Sequence, residues 1–456
     1  MYKTSNMHCA FRGVFSKSIQ AKKLFLSPLS TYKMCTMANV VEPAQRLKGM
    51  QESVWVEFIA LALETNPVNL GQGFPDFAPP EVVVKALENV LCGPNVLLHQ
   101  YTRGFGHPRL VNALAKLYSR LTGHSIDPKK EVLVTAGAYE ALYSTFLGLV
   151  NPGDEVIIIE PFFDCYEPMT IMAGGVPVFI PLRPKKESGT MSSADWVLDP
   201  EELESKFSKK TKLIIVNTPH NPLGKVFSRE ELEVIGSLCK KYDVICVMDE
   251  VYEWIVYRGC KHVRMNTLPG MWDRTITIGS AGKTFSVTGW KLGWAYGPEH
   301  LLKPLQLLHQ NCVYTVCTPT QEAVAIGLET EMERIDDPNG YWNDLSRSLE
   351  QKRDRICAFL DTVGMAPTIP EGGYFLIADF SKLAGKLDLS GDGPRDYQFA
   401  RWLSRNKKLQ GIPPSAFYGP ADKPLAQNLI RFCFFKEDST LKKAEDILTE
   451  MKKSML

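Results

Sequence analysis

From about residue 131 the chain alternates short apolar runs of strand length with amphipathic stretches of helical period, and this alternation narrows its folding options more than any other feature. Such an order builds a mostly parallel sheet covered on both faces, because parallel neighbours need a long crossover between them. The runs fall at residues 131–135, 155–159, 176–180, 212–217, 244–248, 275–279 and 292–296, which predicts a sheet of about seven strands. Helix starts are marked as well. Asp199 before Pro200 has the form of an N-cap with a first-turn proline, Ser228 with Glu231 has the spacing of a capping box, and a further helix is expected from about Ala138. Residues 300–360 read as helical, after which 372–379 and 429–435 read as strands of a smaller α/β domain, with an exposed loop over 383–393. The expected fold class is therefore α/β. Its divisions are a tail over 1–41, an N-terminal arm over 42–75 that contributes to the small domain and the active site, a large domain over 76–330 and a small C-terminal domain over 331–456.

Charge and cysteine content exclude several function classes. With 456 residues and a formal net charge of +1, the chain lacks the basic footprint of a nucleic-acid binder, and small-molecule partners are expected. Its eleven cysteines are scattered, odd in number and free of Cys-x-x-Cys spacing, which points to reduced thiols and to no bound metal. No apolar run approaches the roughly eighteen residues of a membrane span. Lys3, Arg12, Lys17, Lys22, Lys23 and Lys33 are interspersed with Ser, Thr and apolar residues, and no acidic residue precedes Glu42. That is the composition of a mitochondrial transit peptide, with a plain N-terminal tail as the alternative. Initiation at Met34 or Met37 would remove the address and leave a cytosolic form.

The chemistry concentrates in Ile278–Trp294, where Lys283 lies among small residues just beyond a buried strand. A lysine there can be desolvated, so that its neutral amine is available to attack an aldehyde. Ser280 and Lys291 add a hydroxyl and a cation suited to a phosphate monoester. Upstream, Asp249 ends another buried strand, where open α/β sheets place ligand-contacting groups, although in isolation it also reads as a helix N-cap. Tyr252 follows three residues later. Asn217-Thr-Pro-His-Asn-Pro-Leu-Gly-Lys225 likewise follows a strand and turns sharply.

Asn-Pro-x-Gly, Asp-x-x-Tyr and Ser-x-x-Lys followed by a basic residue, in this order and at comparable spacing, resemble the fold-type I aminotransferases, which depend on pyridoxal 5'-phosphate (PLP). The segments 68–76, 100–108, 160–168 and 430–434 extend the resemblance to the kynurenine aminotransferases, also called glutamine transaminase K and cysteine-S-conjugate β-lyase, over nearly the whole chain after residue 42. The resemblance implies that Lys283 holds PLP as a Schiff base and moves the proton between the substrate α-carbon and C4' of the cofactor. Asp249 would bind the pyridine nitrogen, Asn221 and Tyr252 the ring oxygen, and Phe163 would stack on the ring. The backbone amides of Ala138 and Tyr139 would join Ser280 and Lys291 at the phosphate. Arg431 would grip the substrate carboxylate, assisted by Asn217 and the Gly73 backbone. Tyr101 would reach the phosphate of a neighbouring subunit, making the active sites of a homodimer shared. Phe163 and Tyr139 also read as core, and Arg431 as one half of an ion pair. Lys291 departs from the wider superfamily, where arginine is common, and keeps the charge while losing the fork.

Trp55, Tyr101, Tyr314 and Phe375 are the expected linings of an apolar substrate pocket. No second arginine is placed for a side-chain carboxylate, so aromatic, sulfur-containing and glutamine-like donors are expected over aspartate. The implied reaction passes the amino group through the cofactor to a 2-oxo acid, and kynurenine as donor would give an oxo acid that cyclises to kynurenate. Elimination from cysteine conjugates is the alternative main activity. A PLP-binding ligand sensor is disfavoured, because no basic helix-turn-helix segment precedes residue 42.

Overall fold

The seven apolar runs form one sheet. Its strands are β1 (Val132–Thr135), β2 (Glu155–Glu160), β3 (Val176–Pro181), β4 (Thr211–Asn217), β5 (Ile245–Asp249), β6 (Thr275–Ser280) and β7 (Gly293–Tyr296), in the order β1-β7-β6-β5-β4-β2-β3. The computed structural model from which this follows describes residues 42–185, 191–389 and 391–455. The targeting segment expected over 1–41 lies outside the described residues. Contacts separate Met1–Ala44 from Gln45–Leu456, and the second unit carries everything that follows.

Strand β7 runs antiparallel to β6 and β1, while the other neighbours are parallel. Successive side chains of the central strands feed opposite cores: Leu213, Ile215 and Val247 join one apolar cluster, whereas Ile214, Val216, Cys246 and Met248 join another. Burial on both faces is why these strands read as continuous apolar runs instead of alternating ones. The carboxyl ends of β4, β5 and β6 lie side by side, with Asn217 in register with Asp249 and Asp249 in register with Ile278.

The helix signals operate as read. Asp199 accepts the amide of Glu202 at 2.8 Å, and Ser228 and Glu231 exchange side chain-to-backbone bonds at 3.2 and 2.9 Å. Helix α1 (Val54–Thr65) is capped by Ser53, and α2 (Ala138–Leu149) follows β1 directly. The helical stretch after 298 comprises Glu299–Cys312, Thr318–Glu333 and Tyr341–Thr362. Helix Thr318–Glu333 crosses the boundary expected at 330 and packs on Glu81–Cys92 and Pro108–Thr122.

The second sheet orders Leu429–Cys433, Phe375–Asp379, Ala366–Ile369 and Met191–Ser192. Val68–Asn69 pairs with Leu409–Gln410 and ties the N-terminal arm to this side of the unit. The loop expected over 383–393 differs at its start: Leu383 and Ala384, in the helical turn Ser381–Ala384, are buried beside Phe380 and Phe399.

Candidate active site

A cavity of about 470 Å³ opens at the carboxyl ends of β4, β5 and β6, and all but two of the residues singled out from the sequence line it. Lys283 sits in the single helical turn Ala281–Thr284 between β6 and the returning β7. Its side chain crosses to the rings of Tyr374 and Tyr252, with Nζ 5.5 and 5.8 Å from their centroids. Burial, aided by Lys291 and Arg431, lowers its pKa to about 8 against the opposing pull of Cys433 and Asp249. An amine in this state loses its proton far more readily than a surface lysine.

Asp249, the last residue of β5, is buried with its carboxyl pushed up to about 6 by desolvation, despite donors from the Tyr166 hydroxyl at 2.6 Å and the Val251 amide at 3.4 Å. Asn217 uses its amide to set the neighbouring turn: Nδ2 donates to the Asp249 carbonyl at 2.8 Å and Oδ1 accepts the Asn221 amide at 2.7 Å. Asn221 Oδ1 in turn accepts from Arg431 at 3.0 Å.

Arg431, central in the strand Leu429–Cys433, is 1% exposed and reaches only neutral acceptors, Asn221 Oδ1 and the Gly71 carbonyl at 2.8 Å. Its guanidinium lies 4.1 Å from the Phe375 ring centroid and 5.2 Å from that of Trp55, and its Nε has no partner. Burial drops its pKa to about 10. A buried cation facing a cavity without a carboxylate partner is primed for an anionic ligand. Gly73 is held in place by the Tyr374 hydroxyl at 3.0 Å, and a Cβ there would meet Phe375 at 2.4 Å.

Another corner of the cavity gathers groups whose chemistry suits an anion. Gly137, at φ +79°, lets the chain turn from β1 into α2, presenting the first-turn amides of Ala138 and Tyr139. Lys291 Nζ stands 3.4 Å from where a Gly137 Cβ would be, and a Cβ on Gly293 would strike the Ala138 nitrogen at 2.4 Å. Ser280 and Thr288 line the same corner. Phe163 and Tyr139 meet edge to face at 6.2 Å over the cavity.

Tyr101 and Tyr314 do not line the cavity; they are exposed and pack edge to face on each other at 5.7 Å. Conversely, Ser53, Gly137, Leu142, Asp164, Val251, Gly282, Thr288 and Leu292 line it and were not singled out from the sequence. Asp164 adjoins Phe163, and Ser53 precedes the first turn of α1, so proximity to named motif residues was the available signal.

A desolvated amine, a buried acid, an unpaired guanidinium and an anion-binding helix start in one cavity define a class. The chain belongs to the aminotransferases: the family described as "Aminotransferase class I and II" matches residues 65–448. Among individual relatives, it is 53% identical over 448 residues to kynurenine–oxoglutarate transaminase 3 of Mus musculus, covering 97% of this chain and 98% of that protein. Kynurenine–oxoglutarate transaminase 1 of Homo sapiens is 50% identical over 414 residues, covering 90% and 98%. The crystal structure of Bna3p from Saccharomyces cerevisiae matches with a TM-score of 0.84 at 34% identity, covering 92% of this chain and all of that one, 100%.

Proposed function

We propose that this chain is a PLP-dependent transaminase that moves the amino group of kynurenine, and of other aromatic, sulfur-containing or glutamine-like amino acids, to a 2-oxo acid. The observation that carries the reading is the placing of Lys283, Asp249 and Arg431 around one cavity, each buried against its own charge. The names of the relatives supply the substrate.

The residues fit PLP, whose aldehyde accepts amines and whose ring draws electrons from the substrate α-carbon. Lys283 would hold the aldehyde carbon through its neutral amine and then carry the proton between the substrate α-carbon and C4'. Asp249, steadied by Tyr166, would hold a proton against the ring nitrogen. Asn221 and Tyr252 would bond the ring oxygen and Phe163 would cover the ring face. Ser280, Lys291 and the amides of Ala138 and Tyr139 would take the phosphate, and Arg431 the substrate carboxylate, beside Trp55, Phe375, Gly73 and Asn217.

The proposal includes a homodimer. Tyr101 is 83% exposed and Tyr314 56%, and Val96 and Leu97 are exposed on the helical turn just before Tyr101, an apolar surface suited to a second copy. It also includes a mitochondrial address in residues 1–41, checked by import of a reporter fused to that segment. Elimination from cysteine conjugates is not proposed as the main activity, since the relatives are named for amino transfer.

The purified, PLP-loaded protein is expected to form kynurenate from kynurenine only when a 2-oxo acid is present, and the Lys283→Ala protein to form none. Equal product from both proteins would refute the assignment.

A further inference from the structure

The mechanism above leaves one charged group in the cavity without a task. Asp164 lies one residue beyond Phe163, and its Oδ2 accepts the Ser53 hydroxyl at 2.7 Å, across 111 positions of sequence. Its Oδ1 is sealed from solvent and has no hydrogen-bond partner. Ser53 and Asp164 both line the cavity, as does Trp55, two residues after Ser53 on the first turn of α1. The carboxyl is close enough to Arg431 to raise the pKa of that guanidinium. Two opposite charges therefore face one space: a cation with a free Nε and an acid with a free Oδ1.

With Arg431 reserved for the substrate carboxylate, Lys283 for the reacting carbon, and Asp249 and Lys291 for the cofactor, Asp164 is the charged residue lining the cavity that is left to meet the substrate side chain. We propose that Asp164 is a specificity-determining residue, accepting a hydrogen bond from N–H donors on the substrate side chain and repelling side chains that end in a carboxylate. The inference rests on the aminotransferase reading of the same cavity. An unpaired buried acceptor favours a ligand that satisfies it and penalises one that cannot, and a second carboxylate adds like-charge repulsion. Ser53 contributes by fixing the carboxyl through Oδ2, which leaves Oδ1 as the oxygen without a partner.

Two unreactive acids of equal length separate the charges. Glutarate ends in a second carboxylate, and its monoamide ends in an N–H donor. Their dissociation constants are measured by titration calorimetry on the PLP-loaded protein and on its Asp164→Asn and Asp164→Ala variants, with kcat/KM for glutamine and glutamate as a parallel readout. The wild-type protein is expected to prefer the monoamide by about tenfold or more, as charged hydrogen bonds typically allow, and both variants to shrink that preference at least fivefold, with the glutamate-to-glutamine ratio of kcat/KM rising in step. A preference unmoved by either variant, or both acids weakened equally, overturns the role of Asp164. If neither acid binds wild-type protein, the carboxylate site at Arg431 is wrong, and the inference falls with it.

Discussion

Lys283, Asp249 and Arg431 are ionisable groups whose surroundings oppose their charge, and this has consequences for stability as well as chemistry. The folded chain holds the Lys283 proton less tightly than the unfolded one, with a pKa near 8 against an ordinary 10.5. Between those values the unfolded state binds more protons, so the penalty is full below about pH 8 and fades as pH rises toward 10.5. Lys283→Met should therefore stabilise the PLP-free protein at pH 7 by roughly 1–3 kcal/mol while abolishing amino transfer. Urea unfolding of the two proteins checks this, and the gap between them should narrow above pH 8; a less stable variant would show that the lysine is well accommodated. The rate of PLP capture should rise with pH through about 8, as the neutral amine becomes abundant.

At the scale of elements, the phosphate corner depends on the close approach of β7 to the start of α2. A methyl on Gly293 would lie 2.4 Å from the Ala138 nitrogen and 2.6 Å from the Gly137 carbonyl carbon, both backbone atoms that cannot swing aside. Gly293→Ala is expected to cost about 1–3 kcal/mol and to weaken PLP retention, while Gly289→Ala, with open space around it, should do neither. Thermal unfolding with and without PLP distinguishes the two, and equal behaviour would remove the close approach from the account. The seven strands were legible because burial on both faces imprints an unbroken apolar run, and the caps at Asp199 and Ser228 because their spacing is local. Pairings that span the chain left no such mark. Met191–Ser192 joins Thr368–Ile369, and Val68–Asn69 joins Leu409–Gln410, through two-residue registers that no periodicity announces. The Ser53–Asp164 bond escaped the sequence for the same reason: it joins residues 111 positions apart, and no local pattern links them. The motif residues were legible because strand ends put them there, whereas Tyr101 and Tyr314 are exposed and pack ring on ring outside the cavity.

For the whole molecule, the proposed homodimer would bury Val96, Leu97, Tyr101 and Tyr314, all exposed on the single chain. Leu97→Asp should place a charge in that surface and shift sedimentation toward monomer, with specific activity falling as the protein is diluted. Unchanged sedimentation would put the contact between copies elsewhere. The central claim, that this cavity moves an amino group from kynurenine through a cofactor held by Lys283, is tested most directly by the visible spectrum of the purified protein with PLP. A band that is bleached by kynurenine, restored by a 2-oxo acid and absent from the Lys283→Ala protein is the predicted result. A spectrum that kynurenine leaves unchanged, or that is the same in the variant, would contradict it.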